Sequence, residues 1–407
     1  MIIPSIDIMN GKAVQLRQGK EKVLERENVV EIAREFSRFG EIAVIDLDAA
    51  LGNGDNIRLI KKLCKIADCR VGGGIRTIER ANELLAAGAK KIIIGTNANK
   101  EFLGQLPSER VVVAIDTKGK YVVNQGWTTN SGKKPQKIIK ETEKYCSEFL
   151  FTNVDKEGMM AGLDFEIVRE LRGMTKNKMT VAGGITTVND VKMLEEISCN
   201  SQIGMALYTG KIKLEEAFVF LLDFDKNNGL VPTIVQDENS QVLMMAFSSK
   251  ESMYKTFEIN KATYYSRTRK KLWTKGETSG NFQQIIKVRF DCDRDALLFT
   301  VKQNNAACHR GDYSCFEDRR FGLKQLYEII ADRINNLKTN SYTSYISKDE
   351  EKIKEKIKEE CDEVLNYKDR DNLVWEIADL TYFIMILMAK NDLTLTDIEN
   401  ELWRRRK

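Results

Sequence analysis

Two aspartates pose the first chemical question. Asp7 ends the apolar run IIPSID, and Asp116 ends VVVAID, 109 residues further along. The chain holds one histidine, His309, so at most one site can use an imidazole base. Two facing carboxylates can act as general base and general acid without one. Two glycine clusters follow the same rhythm: Gly72, Gly73 and Gly74 with Gly95, then Gly183 and Gly184 with Gly204. Bare backbone N–H groups beside helix starts bind phosphate, so two such grips imply a substrate with a phosphate at each end.

A second set of residues has the character of metal ligands. Cys292 lies in DCDRD, and Cys308 and Cys315 lie in ACHRGDYSC. Three thiolates with one open position suit a catalytic zinc, and His309, next to Cys308, would be its base. Asp291, Asp293 and Asp295 alternate, so on a strand they share one face. Three carboxylates on one face repel unless a cation joins them, and hard oxygen ligands suit Mg²⁺. A third set is Glu360 with Glu363 and Glu376 with Asp379. Each pair is three residues apart, hence on one helix face, and two antiparallel helices would gather the four around Mg²⁺. Glu376 and Asp379 fall within the apolar stretch VWEIADLTYFIMIL, where buried carboxylates need a partner or a metal.

The elements that must position these residues are legible as patterns. Residues 1–220 hold eight short apolar runs: IIPSIDI, IAVIDLD, CRVGGGI, KIIIG, VVVAID, FLFTNVD, MTVAGGI and SQIGMA. Amphipathic stretches separate them, so the pattern predicts a closed parallel (β/α)8 barrel of the TIM type. The barrel is built from two half-barrel repeats: besides the aspartates, VGGGIRT recurs as VAGGITT and IIIGTNA as QIGMALY, all at an offset of 109 or 110. Asp7 and Asp116 therefore end strands one and five, on opposite sides of the barrel mouth. The polar, turn-rich segment LLDFDKNNGLVP reads as a linker. Runs of period two then predict a mainly antiparallel β module, and from about Gly322 the period becomes helical.

Composition bounds the rest. A chain of 407 residues has room for two or three domains. The net charge of +4 argues against a nucleic-acid binder. No basic leader precedes an apolar run at the start. The greasiest stretch, Leu380–Ala389, is half of what a bilayer span requires. Eight cysteines without a secretory signal read as reduced thiols in a cytoplasmic protein.

Three resemblances add to these readings. PSIDIMNGKAVQLRQG, VIDLDAA, VGGGIRT, AIDTKGKYVVNQGW, AGGITT and GMALYTGKI resemble the histidine-biosynthesis isomerase that converts ProFAR, an aminoaldose ribotide, into the aminoketose PRFAR. The resemblance implies Asp7 as general base at C2′ and Asp116 as general acid on the ring oxygen. It implies Thr152 as an orienting residue, with Arg76 and Trp127 against the substrate. Ala43 stands where relatives often carry a histidine. MMAFSSKES, TYYSRTRKKLWTKGETSGN, DCDRDALLFTV and ACHRGDYSCF resemble phosphoribosyl-AMP cyclohydrolase. That resemblance implies zinc on Cys292, Cys308 and Cys315, magnesium on Asp291, Asp293 and Asp295, and His309 as proton shuttle. Trp273, Lys275, Ser279, Gly280 and Asn281 would line the nucleotide pocket. It also implies a homodimer through the zinc module, because the family completes its zinc site between two subunits. The helical region resembles phosphoribosyl-ATP pyrophosphohydrolase of the MazG type, with Lys358 in place of a usual glycine and Phe383 in place of a frequent histidine.

The three resemblances name consecutive steps: PR-ATP to PR-AMP and pyrophosphate, PR-AMP to ProFAR, ProFAR to PRFAR. The expected organisation is an isomerase over residues 1–222, a cyclohydrolase over 223–320 and a pyrophosphohydrolase over 321–407, acting on phosphoribosyl nucleotides. Three alternatives stay open. The barrel could also isomerise phosphoribosylanthranilate, the helical module could be a general NTP pyrophosphatase, or one module could be a non-catalytic dimerisation scaffold.

Overall fold

The computed structural model describes residues 1–159, 162–316 and 321–405, with the side chain of Arg404 left out. The eight predicted runs form eight strands: β1 Ile2–Met9, β2 Ile42–Asp46, β3 Cys69–Gly72, β4 Lys91–Ile94, β5 Val111–Lys118, β6 Glu148–Asn153, β7 Lys178–Ala182 and β8 Cys199–Ile203. Each pairs in parallel with its neighbours, β8 returns to β1 and β5 pairs β6, so the barrel closes. Two hairpin extensions obey the repeat. Strands Lys12–Arg17 and Glu21–Arg26 extend β1, and Tyr121–Asn124 with Thr129–Asn130 extend β5. They rise from the strands that carry Asp7 and Asp116. The repeat also governs helix starts: Thr77 and Thr187, which end VGGGIRT and VAGGITT, both cap helices by accepting a backbone N–H.

The barrel axis is filled in layers. At its amino-terminal end Arg70, 1% exposed, donates to Glu148, fully buried, at 2.6 Å. Lys91 reaches the other oxygen of Glu148 at 2.6 Å, and Thr180 also donates to Glu148. Burial pushes the Glu148 carboxyl up, but Arg70 and Lys91 outweigh it and hold the group down at about 2. Above lies an apolar layer of Ile93, Val112, Leu150 and Ala182, with Ile45 and Ala114 against it. Removing one member of a buried ion pair leaves the other uncompensated. Glu148→Leu is therefore expected to destabilise the barrel by about 3–5 kcal/mol, measured by denaturant unfolding. The depressed carboxyl contributes stability above its unfolded value and loses it as pH falls toward 2, so this deficit should shrink in acid.

The β module forms the predicted strands: β9 Leu230–Gln236, β10 Val242–Ser249, β11 Thr263–Ser266, β12 Lys271–Thr274, β13 Gln283–Phe290 and β14 Leu297–Gln303. A four-stranded sheet has the order β10-β9-β14-β13, with β9 and β14 parallel, and β11 pairs β12. The segment read as a linker is no free tether. Asp223 N–H donates to the Arg294 carbonyl at 2.9 Å, and the barrel and β module form one compact unit. Phe39 and Phe218 of the barrel pack against Phe257 and Phe290 of the module, with ring centroids 5.0–6.1 Å apart. Asp68, just before β3, pairs with Lys287 and Arg289, and Glu195 pairs with Arg294. Arg38, Phe39, Asp68 and Glu195 all precede barrel strands, so the module sits on the amino-terminal side, away from the mouth.

The helices from Leu323 onward are a second compact unit. Helices Glu350–Leu365 and Arg370–Lys390 carry the two acidic pairs. Arg370–Lys390 is long and apolar enough to cross a membrane by length and composition, with 22% of its apolar window buried. Phe383, Met385 and Ile386 from its second half pack with Ile330, Ile346 and Ile353 in a helical core.

Candidate active sites

The barrel mouth brings together what the two repeats carry separately. One cavity is lined by Asp7, Asp116, Thr152, Trp127, Arg76, the first glycine cluster and Gly204 of the second; Gly183 and Gly184 line a smaller cavity that shares Glu157 and Gly204 with it. Asp7, on β1, accepts from Ser5 Oγ at 3.0 Å. Burial raises its carboxyl to about 6, against the opposing pull of Ser5. Asp116 is raised by burial too, and hydrogen bonds from Trp127 and Thr152 oppose the shift. Gln125, Gly126 and Trp127 all have positive φ, at 52°, 63° and 67°. This sparsely populated run turns Trp127 over Gly19, where a Cβ would come within 2.6 Å of the indole. Arg76 is engaged already: its guanidinium donates to the Ala49 and Ala50 carbonyls at 3.1 and 2.7 Å, holding the neighbouring loop.

The glycine grips are glycine for steric reasons. At Gly73 (φ +96°) a Cβ would lie 2.1 Å from the Asp46 carbonyl oxygen. At Gly183 (φ +79°) it would lie 2.8 Å from the Asn153 carbonyl oxygen and 2.9 Å from Glu157 Oε2. The second contact exposes a residue the motifs did not single out. Glu157 lines the same cavity, and its Oε2 is buried without a hydrogen-bond partner. Burial, then the charges of Asp7 and Asp116, raise its carboxyl to about 8. The mouth thus holds three carboxyls, one of which keeps its proton at neutral pH.

In the β module the acidic trio is not on a strand. Strand β13 ends at Phe290, and Arg294 (φ +64°) turns the chain, so Asp291, Asp293 and Asp295 lie in the bend before β14. Ligand oxygens of the three still lie within 4.8 Å of one another. The cluster holds a cation from the chain itself: Lys226 Nζ lies 2.7 Å from Asp293 and 3.0 Å from Asp295. Cys308 and Cys315 are brought together by a tight turn in which Cys308 N–H donates to the Asp312 carbonyl at 3.1 Å. Lys275, 8% exposed, is pushed down by burial while both thiols oppose this, which places it beside them. His309 is exposed next to Cys308. Trp273 packs on Tyr264 with centroids 5.2 Å apart, and the loop of Ser279, Gly280 and Asn281 is exposed at Ser279 and Gly280 and half-buried at Asn281. Cys292 is exposed in the acidic bend and joins no three-ligand group with Cys308 and Cys315 among the described residues. One chain supplies a two-thiolate half-site and, elsewhere, a single thiol.

In the helical unit Glu360, Glu363 and Glu376 converge within 4.8 Å. Asp379 stands outside this trio, but its charge helps to raise Glu360, after burial. A hydrogen bond and repulsion from Glu376 raise Glu363. The expected burial of the second pair is overturned: Asp379 is exposed and Glu376 only partly covered. Their apolar neighbours Val374 and Trp375 are 55% and 72% exposed, so the greasy first half of this helix forms surface in the single chain. Like charges this close fit a divalent cation.

Comparison with known proteins places these sites. The family model "Histidine biosynthesis protein" matches residues 1–213, just over half of the chain. A phosphoribosyl imidazole-4-carboxamide isomerase of Methanocaldococcus jannaschii is 41% identical over 230 residues, covering 53% of this chain and 97% of that protein. The chain belongs to the histidine biosynthesis protein family. Two further models follow in order: phosphoribosyl-AMP cyclohydrolase over residues 244–317 and phosphoribosyl-ATP pyrophosphohydrolase over 323–406. The histidine biosynthesis bifunctional protein HisIE of Pyrococcus furiosus is 43% identical over 201 residues, covering 46% of this chain and 96% of that protein. The histidine biosynthesis trifunctional protein of Saccharomyces cerevisiae is 40% identical over 179 residues, 44% of this chain and 22% of that protein. This histidine biosynthesis protein is a multifunctional enzyme with isomerase, cyclohydrolase and pyrophosphohydrolase domains.

Proposed function

We propose that the three domains, bounded near residues 222 and 320, run three consecutive steps of histidine biosynthesis on phosphoribosyl nucleotides. The order along the chain is the reverse of the order of reaction. The observation that carries the reading is the barrel mouth, where Asp7, Asp116 and Glu157 face one cavity that has the first glycine grip on its wall and meets the second, in a smaller adjoining cavity, at Gly204. The grips hold the two phosphates of ProFAR. Asp7, ionised above about 6, removes the proton at C2′. The acid side has two carboxyls. Asp116 faces the ring oxygen, and Glu157, protonated up to about 8, stores the proton delivered there. Thr152 and Trp127 hold Asp116 in place. Complementation of three single-step histidine auxotrophs by the full chain tests the assignment. A strain that fails to grow with soluble protein present removes the matching activity.

The cyclohydrolase site fits zinc only when two copies meet. Cys308 and Cys315 of one chain would be joined by Cys292 of the partner subunit, so the zinc module is also the dimer interface. Bound zinc would supply Lewis-acid activation of the water that opens the purine ring. His309 moves the proton, and Lys275 with Trp273 and the Ser279–Asn281 loop lines the nucleotide pocket. Asp291, Asp293 and Asp295 would hold magnesium in place of the Lys226 ammonium. All eight cysteines are free, in keeping with a reducing, cytoplasmic setting.

In the helical unit Glu360, Glu363, Glu376 and Asp379 would hold the magnesium that binds the triphosphate. Glu376→Gln is expected to lower PR-ATP hydrolysis at least about tenfold and to raise the melting temperature of the metal-free unit, because it removes a like charge from Glu363. It should also abolish the Mg²⁺-induced rise in melting temperature. A normal Mg²⁺ response in this variant would remove Glu376 from the site.

A further inference from the structure

The second glycine grip carries a polar cluster that the proton-transfer chemistry does not use. Gln202 lies on β8, and the repeat places Ile93 of β4 in the same position, 109 residues earlier. Ile93 belongs to the apolar layer across the barrel. Gln202 is only 9% exposed, and its Oε1 is buried without a hydrogen-bond partner. Gln15, 2% exposed, has an unpartnered Nε2, and the Tyr208 hydroxyl is buried and unpartnered as well. The Gln15 amide lies against Gly204, where a Cβ would lie 2.7 Å from Gln15 Oε1, so only glycine leaves room for it.

A buried polar atom without a partner is costly, and native proteins leave few. Gln202 lines the cavity with such an atom, in place of the apolar residue that the other half-barrel uses, and this points to a ligand that completes it. The ligand must offer a donor to Gln202 Oε1, as a hydroxyl does. Gln202 and Gly204 line both the central cavity and the smaller one under Gly183 and Gly184. They bridge the proton-transfer groups and the phosphate grip. A sugar phosphate seated there puts its phosphate on the glycines and its hydroxyls beside Gln202.

We propose that Gln202 is a specificity-determining residue that hydrogen-bonds the pentose hydroxyls of the phosphoribosyl arm held by Gly183 and Gly184. This rests on the reading of the barrel as a ProFAR isomerase. The test compares Gln202→Ile, which copies Ile93, with the wild-type full chain. Isomerase kcat/KM is expected to fall about 10- to 100-fold, mainly through KM, while the other two activities stay level. The melting temperature of the ligand-free protein should hold or rise, because an unpaired buried polar atom is gone; a purely structural glutamine would lower it. A second readout needs no turnover. Ribose 5-phosphate should raise the wild-type melting temperature more than glycerol phosphate does, and Gln202→Ile should make the two equal. Gln202→Leu serves if the branched side chain prevents folding. A kcat/KM within twofold of wild type, a melting temperature that falls with activity, or equal responses to both probes in the wild type would overturn the proposal. If the wild-type chain fails to isomerise ProFAR, the isomerase reading falls, and the two probes still judge Gln202.

Discussion

Replacing Asp7 by asparagine is expected to reduce ProFAR isomerisation on the order of a thousandfold, with PR-ATP and PR-AMP hydrolysis unchanged. Asparagine preserves shape and the contact with Ser5 but cannot accept the C2′ proton. The cavity has no histidine, and its other two carboxyls, Asp116 and Glu157, serve the acid side, so no other base is placed to take over. The pH profile carries the finer prediction. Burial raises Asp7 to about 6, and the base must be ionised, so kcat/KM should fall as pH drops through that value. Glu157 is raised to about 8, and the acid must be protonated, so kcat/KM should fall again as pH rises through that value. The expected profile is a bell between these limits. Glu157→Gln should remove the alkaline limb and Asp116→Asn should leave it in place. An alkaline limb that survives in Glu157→Gln would return the acid role to Asp116 alone.

The cysteines give the second large effect. Cys292→Ala and Cys308→Ala should each abolish PR-AMP hydrolysis and leave the isomerase intact, and each purified protein should have lost its zinc. Mixing the two inactive variants under conditions that exchange subunits separates a shared site from a self-contained one. If Cys292 of the partner subunit completes the site, a mixed dimer has one intact site and one doubly damaged site. Random pairing then restores about a quarter of wild-type activity, since half the dimers are mixed and each has one of two sites. A self-contained site restores none. The structure motivates the experiment: Cys308 and Cys315 are together, while Cys292 is exposed and forms no three-ligand group with them among the described residues.

Much of this was legible from residue order. The offset between Asp7 and Asp116 placed both on equivalent strands, because a duplicated half-barrel repeats its geometry as well as its sequence. The strands of both β regions fell where the apolar runs lie. What failed were arguments that assumed an element continues. The acidic trio was read as one face of a strand, but the chain turns at Arg294, and the loop rather than the pleat gathers the three carboxyls. Glu376 and Asp379 were read as buried because their neighbours are apolar, yet Val374 and Trp375 are exposed. A one-dimensional pattern reports hydrophobicity without saying which face has a partner. Glu157 escaped because a glutamate before a glycine carries no motif by itself. Gln202 left a detectable mark, a glutamine where the repeat calls for isoleucine.

By itself the sequence determined the barrel, its duplication, the β and helical regions, and the residue types available for chemistry. These follow from local periodicity and from chemical identity, which need no third dimension. Only the tertiary structure decided which groups share an environment. Burial with Asp7 and Asp116 raises the proton affinity of Glu157, packing of four phenylalanines turns an expected linker into a fixed junction, and the three cysteines do not gather into one ligand group within the single chain. Proton affinity and ligand sets depend on what surrounds a side chain, and residues far apart in the chain supply those surroundings.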